Sequence, residues 1–162
     1  MIRVAAAGIN PADVFQRLGM YDPPPGATHI LGLECAGVVV EIGEGVSDLA
    51  VGGEVCALLP GGGYAEYVAV PSGQVAPKLA GLTMIESAIL MEVAATVRSN
   101  FFMDGRLHSG ETVLVHGGSS GIGTMAIQMA KARGAQVVVT VGSKEKAEAC
   151  ERLGSDLALN YR

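Results

Sequence analysis

The residues in this sequence most suited to chemistry form a short glycine and serine cluster, HGGSSGIG, at residues 116–123. The apolar run TVLVH leads into the cluster and an amphipathic stretch follows it. Glycine lets the backbone turn sharply and approach a ligand without a Cβ in the way. The N-terminus of the following helix offers unpaired N–H groups and a partial positive charge, which suit a pyrophosphate. The pattern therefore predicts a dinucleotide site, with contacts from Gly117, Ser120, Gly121, Ile122 and Gly123.

The segments around the cluster predict a parallel, doubly wound sheet. Strand 112–116 reads as a buried strand, and helix 121–133, strand 136–141, helix 144–153 and a short strand near LALNY follow. This βαβαβ order is typical of nucleotide-binding domains. The spacing predicts that one face of the first helix packs toward the sheet, with residues Ile122, Ala126, Met129 and Arg133.

The end of the second strand carries the signal for the type of cofactor. Sites that prefer NAD place an acidic residue there for the ribose hydroxyls, whereas this chain has VGSKEKA. Ser143 can hydrogen-bond a 2′-phosphate and Lys146, or Lys144, can neutralise it, which favours NADP(H). The alternative is that Ser143 only caps the next helix and the lysines form a solvated face.

The first half of the chain is rich in short strands separated by glycine and proline turns, which predicts a partly open β-barrel. A short helix is predicted in NPADVFQRLG, capped by Asn10, started by Pro11 and stopped by Gly19. A longer helix is predicted over 83–102, with a capping box between Thr83 and Glu86. The predicted boundary lies near residue 85, between domains 1–85 and 86–162.

Composition excludes several other classes of protein. Of 162 residues, 49% are hydrophobic and 17% charged, the net charge is −5 and there is no Trp. An acidic chain with few aromatic residues argues against nucleic-acid binding. No stretch is long and apolar enough to span a membrane. The three cysteines form no C-x-x-C pair and are expected to be free thiols, so a cytoplasmic location is expected.

Several motifs together resemble the zinc-independent quinone oxidoreductases of the medium-chain dehydrogenase/reductase superfamily. The resemblance covers nearly the whole chain, and GMYDPPPGA with LLPGGG is similar to the branch of p53-inducible quinone oxidoreductases. It implies a GroES-like β-barrel followed by a Rossmann domain, with the active site between them. The motifs that carry it are GINPADVFQRLGMYDPPP, ILGLECAGVV, GGGYAEY, VLVHGGSSGIGTMAIQ, VTVGSKEKA and LNYR.

The resemblance also assigns roles to residues. Asn10 and Tyr21 would donate hydrogen bonds to a substrate oxygen, although Tyr21 can equally be a loop aromatic packed on prolines. Thr96 would lie near the nicotinamide, and Tyr161 beside the adenosine phosphate with Ser143 and Lys146. Glu34 would organise the pocket rather than act as a base, and Tyr64 would belong to the barrel core.

No zinc is expected. Zinc-dependent relatives carry Cys at the position of Asn10, and Gly-His-Glu where this chain has Gly32, Leu33 and Glu34. Leu33 has no donor atom, and an amide oxygen is a poor zinc ligand beside thiolate or imidazole. The three histidines lie elsewhere in the chain.

The implied activity is hydride transfer from NADPH to a quinone. Reduction of an enone or an enoyl thioester stays open, as does a non-catalytic nucleotide-binding role. A short-chain dehydrogenase is a weaker alternative, because the glycine turn lies far from the N-terminus and no Tyr-x-x-x-Lys occurs.

The family's chains are considerably longer. The resemblance therefore implies that the start of the barrel and the second half of a sheet of roughly six strands are missing. The isolated chain is expected to bind NADPH weakly or not at all, and the full-length form to be a homodimer.

Overall fold

The computed structural model describes all residues, Met1–Arg162. The chain divides into two compact units, Met1–Glu92 (unit 1) and Val93–Arg162 (unit 2). The domain boundary near residue 85 stays a prediction. None of the helices combines the length and the apolar character that crossing a membrane requires.

Unit 1 is built on a five-stranded antiparallel sheet with the strand order β4-β1-β2-β3-β5. Its main core lies on one face of this sheet and includes Ile2, Cys35, Val55 and Leu59. Short strands joined by glycine turns were expected here, and the β-rich first half is confirmed. The strands are β1 Ile2–Ala7, β2 Glu34–Val39, β3 Glu54–Leu58, β4 Tyr67–Val68 and β5 Val75–Pro77, with a 3₁₀ turn at Ser72–Gln74.

The first helix, α1 (Pro11–Arg17), forms as the sequence predicts. Asn10 is its N-cap and Pro11 occupies its first position, where a missing N–H costs nothing. The chain leaves the helix through Gly19, whose φ is 70°. A residue with a Cβ is strained in that left-handed region, so glycine fixes where α1 ends.

The long helix predicted over 83–102 is wrong, because the chain breaks it into separate pieces. Helix α2 covers only Met84–Ser87, although its capping box between Thr83 and Glu86 is present. Helix α3 covers Met91–Val97 and continues as a π-helical segment over Arg98–Asp104. The backbone N–H of Glu92, in the first turn of α3, donates to the Glu34 carboxylate at 3.0 Å. A distant side chain therefore stabilises a fresh helix start that local sequence does not reveal.

Unit 2 contains a three-stranded parallel sheet with the order β6-β7-β8. The α/β architecture predicted for this half is confirmed. The elements are β6 Thr112–His116, α4 Gly121–Ala132, β7 Gln136–Val141, α5 Lys144–Arg152 and β8 Leu157–Asn160.

Two details of unit 2 differ from the sequence expectation. Strand β6 is an edge strand rather than a buried one, with Val115 buried and Leu114 52% exposed. The face of α4 that packs inward consists of Gly123, Ala126, Ile127 and Ala130. Ile122 is instead 43% exposed. The register of the predicted face was wrong by one position, because the small residues Gly123, Ala126 and Ala130 let α4 approach the sheet closely.

Candidate functional site

The glycine turn of unit 2, residues 117–123, connects the carboxyl end of β6 to the start of α4. The backbone N–H groups of Gly117 and Gly118 donate to the carbonyl oxygen of Thr140 at 3.0 and 3.1 Å. The Thr140 hydroxyl oxygen also lies 3.1 Å from His116 Nδ1. Thr140 is on the neighbouring strand β7, so the parallel register fixes the turn at the edge of the sheet.

The glycines of this turn are required for different physical reasons. Gly117 has a φ of 72°, which favours glycine. A Cβ on Gly123 would lie 2.5 Å from the carbonyl oxygen of Gly117 and 2.6 Å from that of Gly118. By contrast, a Cβ on Gly121 would meet nothing nearer than Val93 Cγ1 at 3.9 Å. Gly123 therefore allows close packing, whereas the space over Gly121 is open.

The first turn of α4 leaves donors available. The Ser120 hydroxyl oxygen accepts from the N–H of Gly123 at 3.0 Å, and the Ser120 carbonyl accepts from Thr124. The N–H groups of Gly121 and Ile122 have no protein partner, and both residues are exposed. Two exposed N–H donors at the positive end of a 12-residue helix suit an anionic group such as a phosphate. Ile122 thus lies at the exposed start of α4 rather than on its buried face, and its contact with a cofactor stays a prediction.

Gly142, which precedes Ser143 at the carboxyl end of β7, lies against Tyr161 at the carboxyl end of β8. A Cβ on Gly142 would lie 2.9 Å from the Tyr161 hydroxyl, so the tyrosine ring covers that glycine. Ser143 is the N-cap of α5, and its hydroxyl oxygen accepts from the N–H of Lys146 at 3.4 Å. The helix-capping role that the sequence left open for Ser143 is therefore present.

An acidic neighbour complicates the environment of Ser143. A hydrogen bond from the Ser143 side chain, followed by one from its own backbone, lowers the pKa of the Glu145 carboxyl. A phosphate that took the Ser143 hydroxyl would have to replace this carboxylate. Lys146 is exposed, and Lys144 lies 3.9 Å from Glu148.

Thr96 lies in α3 and is half-buried. Its carbonyl oxygen accepts from the Asn100 side chain at 2.8 Å. One turn earlier on the same helix, Val93 approaches Gly121 of the glycine turn. The position of Thr96 beside a nicotinamide stays a prediction.

In unit 1, Asn10 lies in a buried group of polar side chains, which we call the Asn10 cluster: Asn10, Asp13 and Glu34 with the backbone N–H groups of Gly32 and Glu92. Asn10 is 9% exposed, and Asp13 and Glu34 are each 2% exposed. Asp13 accepts from the N–H of Asn10 at 2.9 Å and of Gly32 at 3.0 Å. Glu34 accepts from Asn10 Nδ2 at 2.9 Å and from the Glu92 N–H at 3.0 Å.

The cluster holds the Asn10 amide in one orientation. One N–H of Asn10 is committed to Glu34, which leaves the second N–H as the group that can donate to a ligand. Burial raises the pKa of the Glu34 carboxyl, against the opposing hydrogen bonds from Glu92 and Asn10. Glu34 thus touches Asn10 and organises its surroundings.

Tyr64 was placed in the barrel core by sequence, and this is wrong. It is 39% exposed, while its hydroxyl donates to the Gly8 carbonyl at 3.2 Å. Burial of the hydroxyl, together with Asp13 and Glu34 nearby, raises its pKa to about 12. The ring packs against Gly32 instead, since a Cβ on Gly32 would meet both Gly63 and Tyr64 at 2.7 Å.

Tyr21 does not join the Asn10 cluster. It is 48% exposed and lines an open cavity of about 230 Å³ in unit 1. The cavity wall is mostly apolar and includes Leu33, Leu58 and Leu59. Asn10 is not among the residues that line it, whereas Glu92, whose backbone N–H belongs to the Asn10 cluster, is. The joint substrate role of Asn10 and Tyr21 stays a prediction.

The donor set around Asn10 does not fit a zinc ion. Leu33 offers no ligand atom, and the Asn10 amide nitrogen donates toward Glu34 rather than presenting an acceptor. No three His, Cys, Asp or Glu side chains anywhere in the chain lie close enough together to hold a metal. The three cysteines are free and buried, and burial raises the pKa of Cys35 to about 11.

Two residues of these sites were missed by sequence reasoning. Asp13 carries a signal in retrospect, because an acid three residues after the N-cap Asn10 completes a capping box. Thr140 carries none, because its role depends on which residue of β7 lies opposite the end of β6.

Both halves of the chain match known protein families. The alcohol dehydrogenase GroES-like domain matches residues 1–80, and the zinc-binding dehydrogenase family matches residues 121–162. The quinone oxidoreductase of Rattus norvegicus is 32% identical over 163 residues, covering 100% of this chain and 50% of the rat protein. The chain therefore spans about half the length of the curated relatives of this kind.

Solved structures agree with these matches. The quinone oxidoreductase of Escherichia coli, crystallised with NADPH, is 30% identical with a TM-score of 0.83, over 99% of this chain and 49% of that one. The CurK enoyl reductase is 32% identical with a TM-score of 0.89, over 99% of this chain and 51% of that one.

Proposed function

Because the chain belongs to the medium-chain dehydrogenase/reductase superfamily, we propose that it forms part of an NADPH-dependent quinone oxidoreductase that reduces a quinone or a similar conjugated acceptor without zinc. The observation that carries the proposal is the glycine turn. Its two unpaired N–H groups, of Gly121 and Ile122, are exposed at the start of a helix that follows a parallel strand. This arrangement suits the pyrophosphate of a dinucleotide.

The residues at the next strand end support a phosphorylated ribose. NADPH, when bound, supplies the hydride. The Ser143 hydroxyl and the Lys146 ammonium would bind its 2′-phosphate, and Tyr161, which covers Gly142, would line the same pocket. No Asp or Glu occupies the position right after β7, where NAD sites carry an acid.

The acceptor-binding residues are proposed in unit 1. The free N–H of Asn10 and the phenol of Tyr21 would donate hydrogen bonds to acceptor oxygens. Glu34 keeps the Asn10 amide in place. A conjugated acceptor spreads the incoming negative charge over several atoms, so orientation by such donors is the contribution required of the protein.

The first test compares the two lysines of α5. NADPH and NADH are titrated by fluorescence into the wild type, Lys146→Ala and Lys144→Ala. We expect Lys146→Ala to weaken NADPH binding about fivefold and to leave NADH binding unchanged. Lys144→Ala, which removes a charge that lies near Glu148, is the matched control and should change neither. Equal loss for both cofactors, or a loss in Lys144→Ala as large as in Lys146→Ala, contradicts the proposed cofactor role.

The second candidate function is reduction of an activated alkene such as an enone or enoyl thioester. The similarity to the CurK enoyl reductase supports it. NADPH oxidation with a series of quinones, enones and enoyl thioesters distinguishes the two, since the preferred class gives the highest kcat/KM. Cofactor binding without turnover of any acceptor would favour a third role, nucleotide binding alone.

A further inference from the structure

A residue outside the predicted set, Gln16, combines a polar atom without a partner and a place in a cavity wall. Its side-chain carbonyl oxygen Oε1 is buried and accepts no hydrogen bond. The same side chain lines the cavity of about 230 Å³ that Tyr21 also lines. A buried acceptor that has lost its water without gaining a partner destabilises the folded state. The fold tolerates this cost at Gln16.

No protein group satisfies the Gln16 side-chain oxygen, although donors line the same cavity. Gln16 is in the last turn of α1, and its backbone carbonyl accepts from the N–H of Gly19, which closes the helix. The cavity wall is mostly apolar and includes Leu33, Leu58 and Leu59, which offer no donor. The donors on the same wall, the Tyr21 hydroxyl and the Gln74 amide, make no hydrogen bond with Gln16 Oε1. The terminal torsion of a glutamine has a broad energy minimum, so the amide can turn toward a ligand without strain.

We propose that Gln16 is a ligand-binding residue of this cavity, whose amide oxygen accepts a hydrogen bond from the hydroxyl of a phenolic ligand. The inference deepens the proposed function and rests on it, because a hydroquinone is the reduced form of a quinone and carries such a hydroxyl. An apolar cavity of about 150 Å³ holds benzene in another protein, so this cavity has room for one substituted ring. The saturated ketone formed from an enone has no hydroxyl to offer, so Gln16 favours the quinone class over enones.

The test uses two stable probes of nearly equal shape, 4-methoxyphenol and 1,4-dimethoxybenzene, without any cofactor. Each is titrated into the ¹⁵N-labelled protein and followed by NMR. We expect the phenol to bind about fivefold tighter than the dimethyl ether, and the side-chain amide resonances of Gln16 to shift with the phenol alone. Gln16→Leu should abolish the preference. Gln74→Leu, which alters a glutamine of the same cavity without a buried unpaired atom, should keep it.

Equal affinity for the two probes, no detectable binding of the phenol at millimolar concentration, or a preference that survives in Gln16→Leu would each overturn the proposal. Backbone amide spectra show whether Gln16→Leu keeps its fold, and the Gln16 resonances of the wild type test the contact even if it does not. The titration contains no NADPH, so its outcome does not depend on whether the protein has the proposed oxidoreductase activity. If the protein prefers the phenol but never oxidises NADPH, the proposed role of Gln16 holds and the proposed oxidoreductase function is rejected.

Discussion

The glycine turn of unit 2 and the Asn10 cluster of unit 1 differ in how they hold polar groups in place. The turn exposes its donors, and it is fixed by the backbone carbonyl of Thr140 and by the Ser120 hydroxyl that caps α4. The cluster buries its polar groups and fixes them through side chains, with Asp13 and Glu34 each 2% exposed. The exposed donors of the turn therefore suit an anion from solvent, whereas the buried cluster holds one amide, that of Asn10.

The two regions also differ in what they tolerate. The turn depends on the absence of a side chain at Gly123, so adding a single carbon there harms it. The cluster depends on the presence of two carboxylates, and removing one leaves buried donors without acceptors. Each difference can be tested with a pair of closely matched variants.

The largest effect is expected from adding one methyl group inside the turn. Gly123→Ala places a Cβ at 2.5 and 2.6 Å from two backbone oxygens, which cannot move without shifting the turn. We expect a loss of about 3 kcal/mol in the free energy of unfolding, at the upper end for overpacking. Urea denaturation followed by circular dichroism measures it.

Gly121→Ala is the control for that experiment, because it makes the same chemical change two residues earlier in the same helix. Its Cβ would meet nothing closer than 3.9 Å. Its stability should stay within about 0.5 kcal/mol of the wild type. If the two variants lose equal stability, the turn is not held by close backbone packing and the contrast with the Asn10 cluster fails.

The next effect concerns Glu34. Glu34→Ala leaves the Asn10 amide and the Glu92 N–H without their acceptor, so we expect a loss of about 2 kcal/mol. Glu34→Gln keeps the shape and one acceptor oxygen, and it should lose less. Unfolding curves for the three proteins at one pH measure the difference. A Glu34→Ala variant as stable as the wild type would mean that the carboxylate holds nothing in place.

The pH dependence of stability, compared between the wild type and Glu34→Gln, tests the Asn10 cluster further. Burial raises the pKa of Glu34 in the folded protein above its ordinary value of 4.5, so the native state keeps this proton to a higher pH than the unfolded chain does. The stability contributed by Glu34 is therefore complete below 4.5 and falls as the pH rises through the folded pKa. The excess in free energy of unfolding of the wild type over Glu34→Gln should therefore shrink as the pH rises from 4.5 through the folded pKa of Glu34, and then stay constant. If this stability difference grows with pH instead, the pKa of Glu34 is lowered on folding rather than raised.

The glycine turn could be predicted from sequence because its determinants are local. The strand, the glycines and the helix start are contiguous, and the Ser120 cap reaches only to Gly123. What local reasoning missed was which face of α4 packs inward, since Ile122 was expected inside and Gly123 lies there instead. Periodicity identifies apolar positions, but here close approach by a glycine decided the packing.

The Asn10 cluster could not be predicted in the same way, because its contacts join residues far apart in the chain. Asn10 and Glu34 are 24 residues apart, and Glu34 and Glu92 are 58 apart. The same long-range contact explains the failed prediction of one helix over 83–102, since the Glu34 carboxylate stabilises a new start at α3. Family resemblance selected Asn10 and Glu34, but their hydrogen-bond partners emerge only from the packed sheet.

The smallest expected effect concerns phosphate binding at the start of α5 in unit 2, where Ser143 and Glu145 lie. The Ser143 side chain lowers the pKa of the Glu145 carboxyl, whose negative charge lies at the same helix start as the proposed 2′-phosphate site. Glu145→Gln should therefore tighten NADPH binding about two- to threefold, since exposed charges interact weakly, and it should leave NADH binding unchanged. Raising the salt concentration should shrink the gain, because screening weakens the repulsion that the variant removes. Fluorescence titration at low and high salt measures both. Weaker binding of NADPH by Glu145→Gln would assign the carboxylate to the ribose hydroxyls instead, and the preference of this edge would then be for NADH.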